Sequence, residues 1–129
     1  MTANRFEKIK ILIIDDDELV RLTLKNVLKK MGCIVFEAQN GNEGVALYKK
    51  ETPDLVVTDI LMPDKEGLET ISEIRVMNPK AKIIAMSGGG AGQNMSFLQL
   101  AQKVGASKIM SKPVKPDDLL NAVKTLLRL

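Results

Sequence analysis

Short apolar runs that end on polar residues constrain this chain more than any other feature. Ile11-Leu12-Ile13-Ile14 ends on Asp15-Asp16, and Leu55-Val56-Val57-Thr58 ends on Asp59. Ile83-Ile84-Ala85-Met86 ends on Ser87, and Ile109-Met110-Ser111 ends on Lys112-Pro113. With Cys33-Ile34-Val35-Phe36 they predict strands over 9–14 (β1), 33–38 (β2), 54–58 (β3), 82–86 (β4) and 107–111 (β5). The unbroken run in β3 predicts burial on both faces, as parallel strands require. Apolar residues at helical spacing fill the intervals. Val20, Leu24, Val27, Leu28 and Met31 mark 18–31 (α1), and 42–50 is a short helix (α2). Leu68, Ile71, Ile74 and Met77 mark 67–77 (α3). Phe97, Leu100, Ala101 and Val104 mark a helix stopping near Gly105 (α4), and Leu119 to Leu127 mark 116–128 (α5). Gly32 fits the position just past α1. Thr52-Pro53 ends α2, because the residue before proline is disfavoured in the α region.

Five strands and five helices in strict alternation, joined by right-handed crossovers, give an α/β fold whose parallel sheet is covered on both sides. The 129 residues suit one domain, and no linker or internal repeat divides them. The expectation is a single domain over 1–129 with a core of about 8–127. The final amphipathic helix is compatible with a complete protein or a piece of a longer one. In open parallel sheets ligands bind at the carboxyl ends of the strands. Here those ends collect three carboxylates, a hydroxyl and a lysine.

Composition removes several alternatives. There is no histidine, so imidazole catalysis, His-based metal binding and a Ser-His-Asp triad are excluded within this chain. Cys33 is the one cysteine, in an apolar stretch; it reads as a core residue of a protein kept in reducing cytoplasm. No apolar run approaches the roughly 18 residues of a membrane span. Aromatic content is 3% with no tryptophan, which argues against base-stacking surfaces. The net charge of +3 includes no run of five basic residues, so no direct nucleic-acid contact is expected. The pairs Lys29-Lys30 and Lys49-Lys50 fall near helix ends, where the dipole favours cations.

If β1 and β3 are neighbours, Asp15, Asp16 and Asp59 converge. Their mutual repulsion is tolerable around a hard cation, and oxygen ligands describe Mg²⁺ better than zinc. A carboxylate can attack phosphorus to give an acyl phosphate. The metal, Lys112 and the Ser87 hydroxyl would cancel and position charge during such a transfer. Each residue also has a plain structural role open to it. Asp15 and Asp16 could cap α1, Asp59 could be a loop acid, Ser87 could cap the next helix and Lys112 could be an exposed lysine. Four strand ends with compatible chemistry favour the joint reading.

The segments Ile11–Asp16, Asp54–Gly67, Ile83–Ser87 and Gly105–Pro113 together resemble the receiver domain of bacterial response regulators. Most specific are Asp54-Leu55-Val56-Val57-Thr58-Asp59-Ile60-Leu61-Met62-Pro63 with Gly67, and Gly105-Ala106-Ser107 leading to Lys112-Pro113. The resemblance implies a flavodoxin-like doubly wound sheet of order 2-1-3-4-5 with five flanking helices; that order is a standard one for such sheets. It implies that Asp59 accepts a phosphoryl group from a phosphohistidine on a sensor histidine kinase or histidine phosphotransfer protein. Asp16 would bind Mg²⁺ directly and Asp15 mainly through water, with Asp59 and the Leu61 backbone carbonyl as further ligands. Lys112 would pair with the phosphoryl oxygens, and Ser87 would turn toward them as a switch. The Lys112–Pro113 bond would be cis. A downstream protein would dock on the α4-β5-α5 face, near Phe97, Val104, Ile109 and Lys115. The chain would be a signalling phosphoacceptor rather than an enzyme, catalysing only its own phosphorylation and a slow-to-moderate dephosphorylation, since Leu61 and Gly89 offer no group to orient water. One departure is Ile109, where the family commonly has a switching Tyr or Phe. The glycines after Ser87 are a second, and could serve either as a moving loop or as a plain connector.

Three rivals remain at this level. A haloacid-dehalogenase-type enzyme would make Asp15 of Asp15-Asp16-Asp17 the nucleophile. It would also need Asp117-Asp118 to end a strand, whereas they follow Pro116 and read as helix capping. A nucleotide-binding module lacks both glycine fingerprints. A receiver used only for docking is disfavoured by the complete acid, hydroxyl and lysine set.

Overall fold

The computed structural model describes residues 5–60, 67–88 and 95–129, side chains excepted at 95–98 and 100. The elements run β1 (Lys10–Ile14), α1 (Glu18–Lys30), β2 (Ile34–Ala38), α2 (Gly41–Glu51), β3 (Leu55–Asp59), α3 (Gly67–Met77), β4 (Ile83–Ser87), α4 (Met95–Val104), β5 (Lys108–Ser111) and α5 (Pro116–Leu127). The predicted boundaries therefore hold to within two residues wherever they were given. The strands form one parallel sheet in the order β2-β1-β3-β4-β5. No helix among the described residues is long and apolar enough to cross a membrane.

Strand alternation divides the core into two layers. Leu12, Ile14, Val56, Ile83 and Ala85 face Tyr48 of α2, Ile71 and Ile74 of α3 and Ala101 of α4. Ile11, Ile13, Leu55, Val57, Ile84 and Met86 face Leu24 and Leu28 of α1 and Leu119, Ala122 and Val123 of α5. β3 and β4 are buried at every position, whereas β5 at the sheet edge is half-buried or exposed throughout. Cys33 lies in the second layer, and burial pushes its thiol up to about 11. The core reading of that residue is correct.

The stops follow local chemistry. Gly32 adopts φ of 101° just past α1, a conformation costly for a side chain. Thr52 closes α2 in the left-handed region, so it avoids the right-handed α region that Pro53 disfavours. Lys29-Lys30 and Lys49-Lys50 do sit in last helical turns. Capping departs from expectation at α5, and at α1 it removes the plain structural role left open for Asp15 and Asp16. α1 is capped by Asp17, which accepts from the Leu19 and Val20 N–H groups, so Asp15 and Asp16 are not caps. α5 has Lys115 at its cap position with no side-chain cap; Asp117 and Asp118 lie in the first turn, where they complement the helix dipole.

Candidate phosphoacceptor site

Register places the site. β1 and β3 pair through Ile14 and Thr58, so one step further both strands end on an acid, Asp15 and Asp59. On the other side of β3, Asp59 stands opposite Met86, and Ser87 follows it at the end of β4. Ser87 in turn stands opposite Ser111, and its carbonyl accepts the Lys112 N–H at 2.8 Å. Lys112 is thereby hung over the carboxyl edge of the sheet. The Lys112–Pro113 bond is cis.

One carboxylate oxygen from each of Asp15, Asp16 and Asp59 lies within 4.8 Å of the other two. Asp15 is fully buried, Asp59 is 6% exposed and Asp16 is exposed. Lys112 Nζ donates to Asp15 Oδ2 at 2.7 Å and sits 3.2 Å from Asp59 Oδ2. Burial alone would lower the pKa of this ammonium. The hydrogen bond to Asp15 and the charges of Asp59 and Asp15 outweigh burial, so Lys112 titrates above the ordinary lysine value. An exposed lysine is thus not what Lys112 is.

Asp15 and Asp59 are also anchored by backbone. The Asp17 N–H donates to Asp15 Oδ1 at 2.9 Å, and the Ile60 N–H donates to Asp59 Oδ1 at 2.8 Å. The second oxygens meet Lys112. Two like unit charges about 4.8 Å apart repel by roughly 3.5 kcal/mol at an effective dielectric of about 20. One lysine among three carboxylates leaves two net negative charges. The donor set is all oxygen, compact and doubly negative, which fits a hard divalent cation such as Mg²⁺.

Gly67 has a steric reason that its motif alone did not give. Its N–H donates to the Ile60 carbonyl at 2.7 Å, and a Cβ there would clash with the Asp59 carbonyl oxygen. Helix α3 therefore starts in backbone contact with the strand end that carries Asp59. The constraint at Gly88 is milder: a Cβ there would lie 3.2 Å from the Lys112 side chain, a tight contact with a group that can shift. The Ser87 hydroxyl is buried, and its long 3.4 Å contact is with the Gly88 carbonyl. Ile109 is half-buried and packs on the α2, α3 and α4 layer. Leu61, residues 62–66 (read from the sequence as a loop) and Gly89 lie outside the described residues, as does the side chain of Phe97.

The structure brings Asp15, Asp16, Asp59 and Lys112 together and sets Ser87 on the adjoining strand end. Asp117 and Asp118, needed by the dehalogenase reading, open α5 as exposed residues outside the acidic cluster. Sequence reasoning missed Arg21, whose Nη1 donates to the Asp15 carbonyl at 2.6 Å. Its only sequence signal is a basic residue one turn into the helix that follows the acid pair.

Comparison with known proteins bears on this geometry. Residues 11–124 match the family model described as response regulator receiver domain. A chemotaxis protein CheY of Bacillus subtilis is 37% identical over 119 residues, covering 92% of this chain and 97% of the relative. Sporulation initiation phosphotransferase F of the same organism is 33% identical over 120 residues, covering 93% and 94%. A CheY-like receiver domain structure from Methanospirillum hungatei superposes with a TM-score of 0.84 at 33% identity, covering 95% of this chain and 94% of that one.

Proposed function

The chain belongs to the response regulator receiver domain family of two-component signalling, and from that premise we propose that Asp59 is the phosphoacceptor. The observation that carries this reading is the pairing of Lys112 with both Asp15 and Asp59 beside a third acid. A cation already held at a buried carboxylate pair is placed to receive phosphoryl oxygens when they arrive. In the transfer, an Asp59 carboxylate oxygen bonds to phosphorus as the P–N bond to a partner's imidazole breaks. The electron pair of that bond stays on the ring nitrogen.

Asp15, Asp16 and Asp59 are the residues that would hold Mg²⁺, with the Leu61 carbonyl as a further ligand expected from the family. The ion supplies charge neutralisation between the carboxylates and the incoming phosphoryl group. Lys112 supplies a second positive charge that moves from acid to phosphoryl oxygen without leaving the site. The chain's part is positioning and electrostatics, and it catalyses its own phosphorylation and slow dephosphorylation to that extent.

Ser87 is the switch residue in this reading. Its carbonyl bond to the Lys112 N–H means that a Ser87 movement toward the phosphoryl group carries the end of β5 with it. Ile109 lies two residues before the end of that strand. The output is then a change in the α4-β5-α5 face. A groove of about 430 Å³ between β5 and α5, lined in part by Ile109, Met110, Val114 and Lys115, supports a docking role there. The phosphoryl donor is a sensor histidine kinase or histidine phosphotransfer protein, and the setting is the cytoplasm. The unbroken sheet and the 11–124 match support one receiver domain with a core of about 8–127.

The test is acetyl phosphate with Mg²⁺, followed by intact mass. The expected result is a hydroxylamine-sensitive gain of one phosphoryl group, labile in both acid and base as an acyl phosphate is, that is absent in Asp59→Asn. Retained labelling in that variant, or no labelling of the wild type under saturating donor, would sink the assignment.

A further inference from the structure

Of the three acids, two are fixed through their side chains. Asp15 accepts from Asp17 and Lys112, and Asp59 accepts from Ile60 and faces Lys112. Asp16 is different. It is exposed, and its carboxylate takes no hydrogen bond or ion pair among the described residues. Where its oxygens stand depends on the peptide from which the residue hangs, and the carbonyl of that peptide is the one Arg21 holds at 2.6 Å.

Arg21 is itself braced. Its side chain is 14% exposed, and Nε lies 3.4 Å from Glu37 Oε1 on β2. Glu37 Oε2 accepts from Lys25 Nζ at 3.0 Å. A guanidinium can engage two acceptors at once in a fixed plane, which a lysine ammonium on a flexible stem does less well. The contact thus links β2 and α1 to the turn between β1 and α1.

Resting on the site proposed above, we infer that Arg21 is a positioning residue for the divalent cation: braced by Glu37, it fixes the Asp15–Asp16 peptide and so aims the Asp16 carboxylate. This role is separable from a charge effect because the two have opposite signs. Deleting a nearby positive charge would strengthen cation binding to an acidic cluster. Deleting the contact that aims a ligand weakens it, and groups that orient metal ligands typically matter by tenfold or more.

Calorimetric titration of the full chain with Mg²⁺ alone decides between them. In Arg21→Ala, the Mg²⁺ dissociation constant is expected to rise roughly tenfold with an unchanged far-ultraviolet circular dichroism spectrum. Arg21→Lys, which keeps the charge and one donor, should fall between that value and the wild type. An unchanged or tighter constant in Arg21→Ala overturns the inference. If that variant does not fold, Arg21→Lys decides alone: weaker binding than wild type supports the role, and equal binding overturns it. Failure of the wild type to bind Mg²⁺ would instead count against the phosphoacceptor site, so the two failures are distinguishable.

Discussion

The two edges of the sheet use the same residue types for opposite ends. At the amino edge, the Asp54 N–H donates to the Lys10 carbonyl and its Oδ2 accepts the Lys10 N–H, both at 2.8 Å. Ser107 does the same for Ile83, through its N–H at 2.7 Å and its hydroxyl oxygen at 3.1 Å. Each polar side chain there closes the start of a strand pair and is then spent. At the carboxyl edge, Asp15, Asp16 and Asp59 crowd one another, and Asp15 and Asp59 share one lysine. An aspartate at one edge stabilises the fold, while three at the other are held together against their repulsion. The asymmetry has a physical source. Strands leave the carboxyl edge toward helix N-termini, whose unpaired N–H groups favour anions, and enter the amino edge from helix C-termini.

This contrast can be broken in three places. The largest effect is expected for Lys112→Ala, where acetyl phosphate labelling should slow by roughly 10²–10³-fold, the usual consequence of removing a charge-stabilising donor. A rate within a few-fold of wild type, measured by intact mass against time, would mean that the lysine is only a structural counter-ion. Next is Cys33, at the entrance to β2. With its thiol pushed up to about 11, a neutral alkylating reagent at pH 8 should modify the native chain at least tenfold more slowly than the denatured chain. Equal rates would show that this end of the core is open. The smallest effect is expected for Asp54→Ala. It should cost about 1 kcal/mol in a denaturant titration, the worth of an ordinary hydrogen bond, and leave labelling within about twofold. A large loss of labelling with unchanged stability would erase the distinction between the edges.

How much was legible in advance differs by element. The strands and most helices were readable, because apolar periodicity is imposed by burial and burial repeats along each element. Asp15, Asp16, Asp59 and Lys112 were readable as candidates because each stands at or within two residues of the end of an apolar run. What stayed open was capping. Three successive acids precede α1, and the sequence did not tell which of them turns its side chain back onto the helix; that one is Asp17. Arg21 was missed for a related reason. Its partner is a backbone carbonyl, and a carbonyl carries no residue identity to read.

The chain's own pattern of short apolar runs ending in acid, hydroxyl or lysine determined the α/β architecture and which residues could meet. Tertiary structure alone decided how they meet: that Lys112 lies between two buried acids instead of in water, and that Arg21 reaches the carbonyl of the peptide joining Asp15 to Asp16. The reason is that hydrophobic patterning is local and survives in one dimension, whereas the distances among charges from β1, β3 and β5 exist only once the strands have been brought side by side.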